Sequence, residues 1–268
     1  MRRLICIALA ATALVPVAAT AGAALKQKAV EFAVPADTET EETAKCKRGQ
    51  EAVAGGFFVD PSPMGGVFPT FESQRVGKRG WNYRLYSFPE ADAAVYAYCD
   101  KREPGLKVES ATEELPDESI AALTARCGRG KEAVAGGFDS PFTELAAVAS
   151  KRSGKRSWEV VFVGPPGAEV TAIAYCDKRE PGLKTKQVAI VPQIDEVDSV
   201  RAKCKRKQEL RSGGFEIEFD ALGTIDEDEG LVTTSRRAGK RRWEVAGSAI
   251  DGEPEMVAYA YCDKKEKK

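Results

Sequence analysis

The chain has 268 residues, 30% of them charged and 43% hydrophobic, with a formal net charge of −1 and no histidine. This composition excludes a disordered or fibrous polymer, and near-neutrality excludes a global field that would steer the chain to nucleic acid or an anionic membrane. Without histidine there is no Ser/His/Asp or Cys/His nucleophilic site, and the commonest zinc ligand is missing.

Arg2 and Arg3 precede an uncharged run from Leu4 to Leu25 that closes in small residues, Ala19-Thr20-Ala21 and Ala21-Gly22-Ala23. The layout predicts a signal peptide over residues 1–23 and hence a secreted or extracytoplasmic protein. The run approaches the roughly 20 residues a membrane span needs, but Pro16 and the Ala/Gly/Thr-rich end argue against an uncleaved anchor. No transmembrane segment is expected after it. Cys6 leaves with the leader, so Cys46, Cys99, Cys127, Cys176, Cys204 and Cys262 remain. Their even number suits a disulfide framework in an oxidising compartment.

Three landmarks then recur along the chain. The first is Glu51-Ala52-Val53-Ala54-Gly55-Gly56-Phe57, repeated at Glu132 to Phe138 and, more loosely, as Arg211-Ser212-Gly213-Gly214-Phe215. The second is Ser-x-Arg-x-Gly-Lys-Arg-x-Trp, from Ser73 to Trp81, Ser150 to Trp158 and Ser235 to Trp243. The third is Ala-Tyr-Cys-Asp-Lys, beginning at Ala97, Ala174 and Ala260. A Leu-Lys pair stands at one fixed distance before each first cysteine, at Leu25, Leu106 and Leu183, which sets three modules over 25–105, 106–182 and 183–268. The Cys-Asp-Lys-Arg-Glu-Pro-Gly-Leu-Lys string at both junctions marks a turn and a short connector, so the modules are expected as beads in fixed or semi-fixed orientation.

Within a module the apolar rhythm has period two: Trp158, Val160 and Phe162 alternate with Glu159, Val161 and Val163, and Val170, Ala172, Ala174 and Cys176 with Thr171, Ile173 and Tyr175. Roughly six short strands per copy predict an all-β protein of three tandem small β-sandwich or barrel modules. The simplest pairing gives each module one internal disulfide, Cys46 with Cys99, Cys127 with Cys176 and Cys204 with Cys262.

An early cysteine, a Val-x-Gly-Gly-Phe-type strand, a Trp strand and a closing Ala-Tyr-Cys together resemble repeat modules in exported proteins of high-GC Gram-positive bacteria. The resemblance spans nearly the whole chain after the leader and implies export and β structure, with no activity, ligand or cofactor attached. The third copy departs from it in carrying Arg211-Ser212 where Val-Ala is expected.

The glycine pairs lack any phosphate-loop context, so they predict a bulge or a close backbone approach. Trp81, Trp158 and Trp243 are expected in the core. The basic turns are the candidate binding site: Arg75, Lys78 and Arg79; Lys151, Arg152, Lys155 and Arg156; Arg236, Arg237, Lys240, Arg241 and Arg242. With Gly77, Gly154 and Gly239 marking hairpin tips, these charges would be displayed at one end of each module. Arginine forks match phosphate and carboxylate geometry, and three tips give avidity for an anionic envelope polymer such as a teichoic acid, a lipid phosphate or an acidic glycan. The competing reading is that they solubilise an exposed hairpin and discourage edge pairing.

Acidic stretches at Asp37 to Glu42, Glu113 to Glu118 and Asp226 to Glu229 read as a counterweight, and the last lacks the frame of a calcium loop. No catalytic residue, metal or cofactor is expected. The sequence therefore points to an exported, non-enzymatic protein that binds or builds at or outside the cell envelope. A purely structural spacer and a secreted protease inhibitor are the alternatives.

Overall fold

Period-two patterning, broken by short glycine-, proline- and charge-marked turns, leaves each segment only a strand to form. The computed structural model describes residues 25–60, 70–102, 104–117, 120–141, 145–179, 181–194, 196–218, 231–249 and 252–264. The expected signal peptide, Glu118 and the Asp226 to Glu229 string lie outside them. The first copy forms β1 (Lys26–Val34), β2 (Thr38–Lys45), β3 (Glu51–Val59), β4 (Thr70–Val76), β5 (Gly80–Ser87) and β6 (Ala91–Asp100). The second forms β7 (Lys107–Glu114), β8 (Ile120–Arg126), β9 (Glu132–Asp139), β10 (Ala146–Gly154), β11 (Ser157–Val163) and β12 (Glu169–Asp177). The third forms β13 (Lys184–Ile190), β14 (Asp198–Lys203), β15 (Gln208–Glu218), β16 (Leu231–Arg237), β17 (Arg242–Ser248) and β18 (Glu255–Lys264). The protein is all-β, as its alternation predicts, and the described residues contain no helix.

Pairing runs across the copies. The three six-stranded sheets have the orders β1-β6-β3-β16-β17-β14, β13-β18-β15-β10-β11-β8 and β7-β12-β9-β4-β5-β2. Every sheet thus joins strands one, six and three of one copy to strands four, five and two of another. The first copy completes a sheet with the second and another with the third, and the second and third share the remaining one, so the modules close into a three-sided prism. Each module keeps two layers and its own staple, but the beads expected from the short connectors are fused through shared sheets.

The bridges are Cys46–Cys99, Cys127–Cys176 and Cys204–Cys262, closing separations of 53, 49 and 58 residues. In each copy the first cysteine follows strand two and the second lies in strand six, so the bridge ties two different sheets together at a corner of the prism. In the chain-entropy account each contributes about 4 kcal/mol.

The repeated landmarks are the hardware of the joints. Ladders between copies are short, with Ser73 opposite Phe138, Ser150 opposite Phe215 and Ser235 opposite Phe57. Beside each ladder a buried tyrosine from the third landmark reaches across the joint and accepts the next backbone N–H. Tyr175 Oη takes it from Arg75 N at 2.6 Å, Tyr261 Oη from Arg152 N at 2.6 Å and Tyr98 Oη from Arg237 N at 2.7 Å. Burial pushes all three phenols up from their ordinary value, keeping them neutral.

Each Trp indole donates to the serine eight residues before it, Trp81 to Ser73, Trp158 to Ser150 and Trp243 to Ser235, at 3.0–3.1 Å. The ring then packs edge-on against the tyrosine of the adjoining copy, at 5.3 Å between Trp81 and Tyr175. All three tryptophans are buried in the core, as expected.

Both glycines of each pair lack room for a side chain. A Cβ on Gly136 would stand 2.1 Å from the Trp158 ring, and one on Gly137 would stand 2.5 Å from the Ser73 carbonyl of the first copy. The second case is the close backbone approach that the sequence predicts, and it is an approach by a neighbouring module. Gly136→Ala is therefore expected to destabilise the protein by about 3 kcal/mol or more, read from its urea midpoint, because the ring is held by Ser150 and cannot yield. An unchanged midpoint would mean that the tryptophan can move aside.

Strands β3, β9 and β15 meet at the middle of the prism, where Phe215 packs edge-on against Phe57 and Phe138 at 5.9 and 6.2 Å. One continuous core runs through all three copies.

Candidate functional site at the basic end of the prism

Consecutive strands run in opposite directions, so the connections alternate between the two ends of the prism. The turns after strands two and four of every copy, and after strand six of copies one and two, gather at one end. That end holds Lys47-Arg48, Lys78-Arg79, Lys101-Arg102, Arg129, Lys131, Lys155-Arg156, Lys178-Arg179, Lys205-Arg206-Lys207 and Lys240-Arg241, and among the described residues these connections contain no Asp or Glu. Among the described residues, the turns after strands one, three and five gather at the other, with Asp37, Asp60, Glu90, Asp117, Glu196 and Glu253 and no Lys or Arg. A net charge of −1 conceals this polarity.

The candidate residues of the tips divide into two kinds. Lys78, Arg79, Lys155, Arg156 and Lys240 are exposed and Arg241 is partly exposed. Gly77 and Gly239 turn with φ of 59° and 90°, which suits glycine, and Lys155-Arg156 make a two-residue turn between β10 and β11.

Arg75, Arg152 and Arg237, expected beside them as displayed charges, are turned inward instead. Arg75 pairs with Glu51 at 2.6 Å and donates to the Leu106 carbonyl; Arg152 pairs with Glu132 at 2.5 Å and donates to the Leu183 carbonyl. Arg75 and Arg152 have side chains only 6% exposed. The carboxylates of Glu51 and Glu132 also accept the N–H groups of Gly105 and Leu106, and of Gly182 and Leu183. Each arginine is therefore the counter-charge that lets a buried glutamate clasp the start of a module. Arg237 repeats the pattern at the closing joint, donating to the Leu25 carbonyl at 3.0 Å.

Of the other turn cations, Lys151 pairs with Glu159 and Glu216, and Arg236 pairs with Glu244 and lies 4.6 Å over the Phe58 ring. Between the second tip and the start of β13 lies an open cleft of ≈ 540 Å³, walled by Arg152, Lys155, Gly182, Lys184 and Thr185. Because Glu132 is neutralised by Arg152, the field in that cleft is positive.

Beneath the basic end lies an ionic cluster that the sequence did not single out. Asp100 and Asp177 close strand six of copies one and two, and each is gripped by the arginine two residues on, Arg102 or Arg179. Arg211 of the third copy reaches both, at 2.6 Å from Asp100 and 3.9 Å from Asp177, with its side chain 5% exposed. Burial alone would raise Asp100, but Arg102 and Arg211 outweigh it and hold the carboxyl at about 2. Arg211 is the residue of strand β15 left out of the ladder, and Val134 and Val53 are left out at the matching places in β9 and β3. The signal for this cluster was the departure of copy three from Val-Ala at Arg211-Ser212.

No family model matches the chain, and no curated protein is significantly similar to it. Among the described residues no helix is long and apolar enough to cross a membrane, and no His, Cys, Asp and Glu side chains group to hold a metal ion.

Proposed function

We propose that this is an exported, non-enzymatic protein that binds an anionic polymer of the cell envelope, a teichoic acid, lipid phosphate or acidic glycan, through the basic end of the prism. One observation carries the reading: the described connections at that end bring exposed Lys and Arg from all three copies onto one face with no Asp or Glu among them. Contacts too weak singly add in avidity when one chain of phosphates or carboxylates crosses several of them. Export is supported by the leader over residues 1–23 and by three disulfides, which persist in oxidising compartments.

The test is retention of the protein on isolated cell-wall and membrane fractions across a salt series. The comparison variant carries Ser at Lys78, Arg79, Lys155, Arg156, Lys240 and Arg241. Saturable retention is expected to fall with salt, and the variant is expected to bind about tenfold more weakly, at a few tenths of a kcal/mol per lost contact. Equal retention of both proteins would remove the electrostatic site and leave a structural spacer as the better reading.

A further inference from the structure

We infer that copies of this chain associate end to end, the basic end of one prism seated on the acidic end of the next. The two faces belong to one cross-section and share one pseudo-threefold arrangement, because every sheet repeats the same six-strand order. A basic tip on each copy at one end is therefore matched by an acidic first turn on each copy at the other, marked by Asp37, Asp117 and Glu196. Sign complementarity is complete among the described turn residues, and a net charge of −1, or −3 without Arg2 and Arg3, leaves little long-range repulsion between whole molecules.

Apolar surface points the same way. Of seven exposed large hydrophobic residues among the described ones, Phe88, Val191, Ile194 and Val197 lie on connections at the acidic end, and Val76 and Val108 lie close to the basic end. Apolar side chains among charges are what an interface core and rim require. Such a contact is heterologous and does not close on itself, so it extends into a linear stack.

Sedimentation velocity of the purified protein tests this directly. At roughly 20 mM salt the weight-average sedimentation coefficient is expected to rise with protein concentration, and at about 0.5 M, where screening acts within a few ångströms, it should stay at the monomer value. Lys78→Glu/Lys155→Glu/Lys240→Glu reverses one tip charge on each copy at the basic end, and Asp37→Lys/Asp117→Lys/Glu253→Lys leaves the described charges of the acidic end balanced in sign. Each alone should associate more weakly than wild type at low salt, and an equimolar mixture, which again offers one unaltered acidic end to one unaltered basic end, should associate more strongly than either variant alone. A wild-type monomer at low salt, variants that associate as well as wild type, or a mixture that associates no more strongly than either variant would each overturn the inference. The acid-end variant keeps the basic tips, so its retention on envelope fractions reports polymer binding separately from stacking.

Discussion

A polypeptide comprising residues 106–182 alone is expected to remain unfolded with its Cys127–Cys176 bridge intact, while the whole protein unfolds in one cooperative step. The reason lies at the joints. Strand β9 is laddered to β4 of the first copy and β10 to β15 of the third, so one excised module exposes two raw sheet edges. It also leaves Tyr175 without the Arg75 N–H and Phe138 without the Phe215 ring. A segment this short buries too little surface to offset such losses, and its bridge offers only about 4 kcal/mol. Calorimetry of the whole protein should give a calorimetric enthalpy equal to the van't Hoff value. Three resolved transitions, or native-like circular dichroism from the excised module, would restore the picture of independent beads.

What is local was written in the sequence. Strand-forming alternation, six strands to a copy and a bridge within each copy were legible because each depends on residues of one module. The partnership of modules was not legible, since it is set by a few registered residues such as Ser73 and Phe138 and by one tyrosine hydroxyl reaching across. A trace of it stood in the glycine pairs. Gly137 needs its missing side chain only because the Ser73 carbonyl of another copy presses there, so the close approach was predictable and its partner was not.

The site divides in the same way. Arg75 and Arg152 stand two residues after Ser73 and Ser150, and in a strand that spacing places them on the face where the serines meet the tryptophans. That parity marks them as inward-facing residues, whereas Lys78-Arg79 and Lys155-Arg156 occupy the turns themselves. The polarity of the prism was also written in the chain, as turns that alternate in sign: Asp37, then Lys47-Arg48, then Asp60, then Lys78-Arg79, then Glu90, then Lys101-Arg102. In an antiparallel chain that alternation sorts charge to opposite ends. Of the acidic stretches read as a local counterweight to the tips, Asp37 and Asp117 stand instead on the far face of the molecule.

Arg211→Ala is expected to destabilise the folded protein by about 3–5 kcal/mol at neutral pH, with a smaller loss near pH 3. Among the described residues Arg211 is the one cation that bridges the third copy to Asp100 of the first and Asp177 of the second. Removing it leaves two buried carboxylates with only Arg102 and Arg179, whose side chains are 28% and 38% exposed and so more weakly coupled. The sign follows from Asp100, whose carboxyl is depressed from 3.8 to about 2. Its pairing stabilises the fold above the unfolded value and loses effect as pH falls through about 2, a contribution of about 2 kcal/mol at pH 7. In the variant the carboxyl takes up its proton at a higher pH, so acid relieves the variant before it weakens the wild type, and the gap between them narrows. Urea unfolding of both proteins at pH 7 and pH 3 measures that gap. A difference unchanged by pH would mean that Arg211 acts through packing alone. One copy carrying the charge suffices, because Arg211 reaches both carboxylates while the residues at the matching positions, Val53 and Val134, are buried and apolar. The break in the repeat is thus where three near-identical modules become one ring.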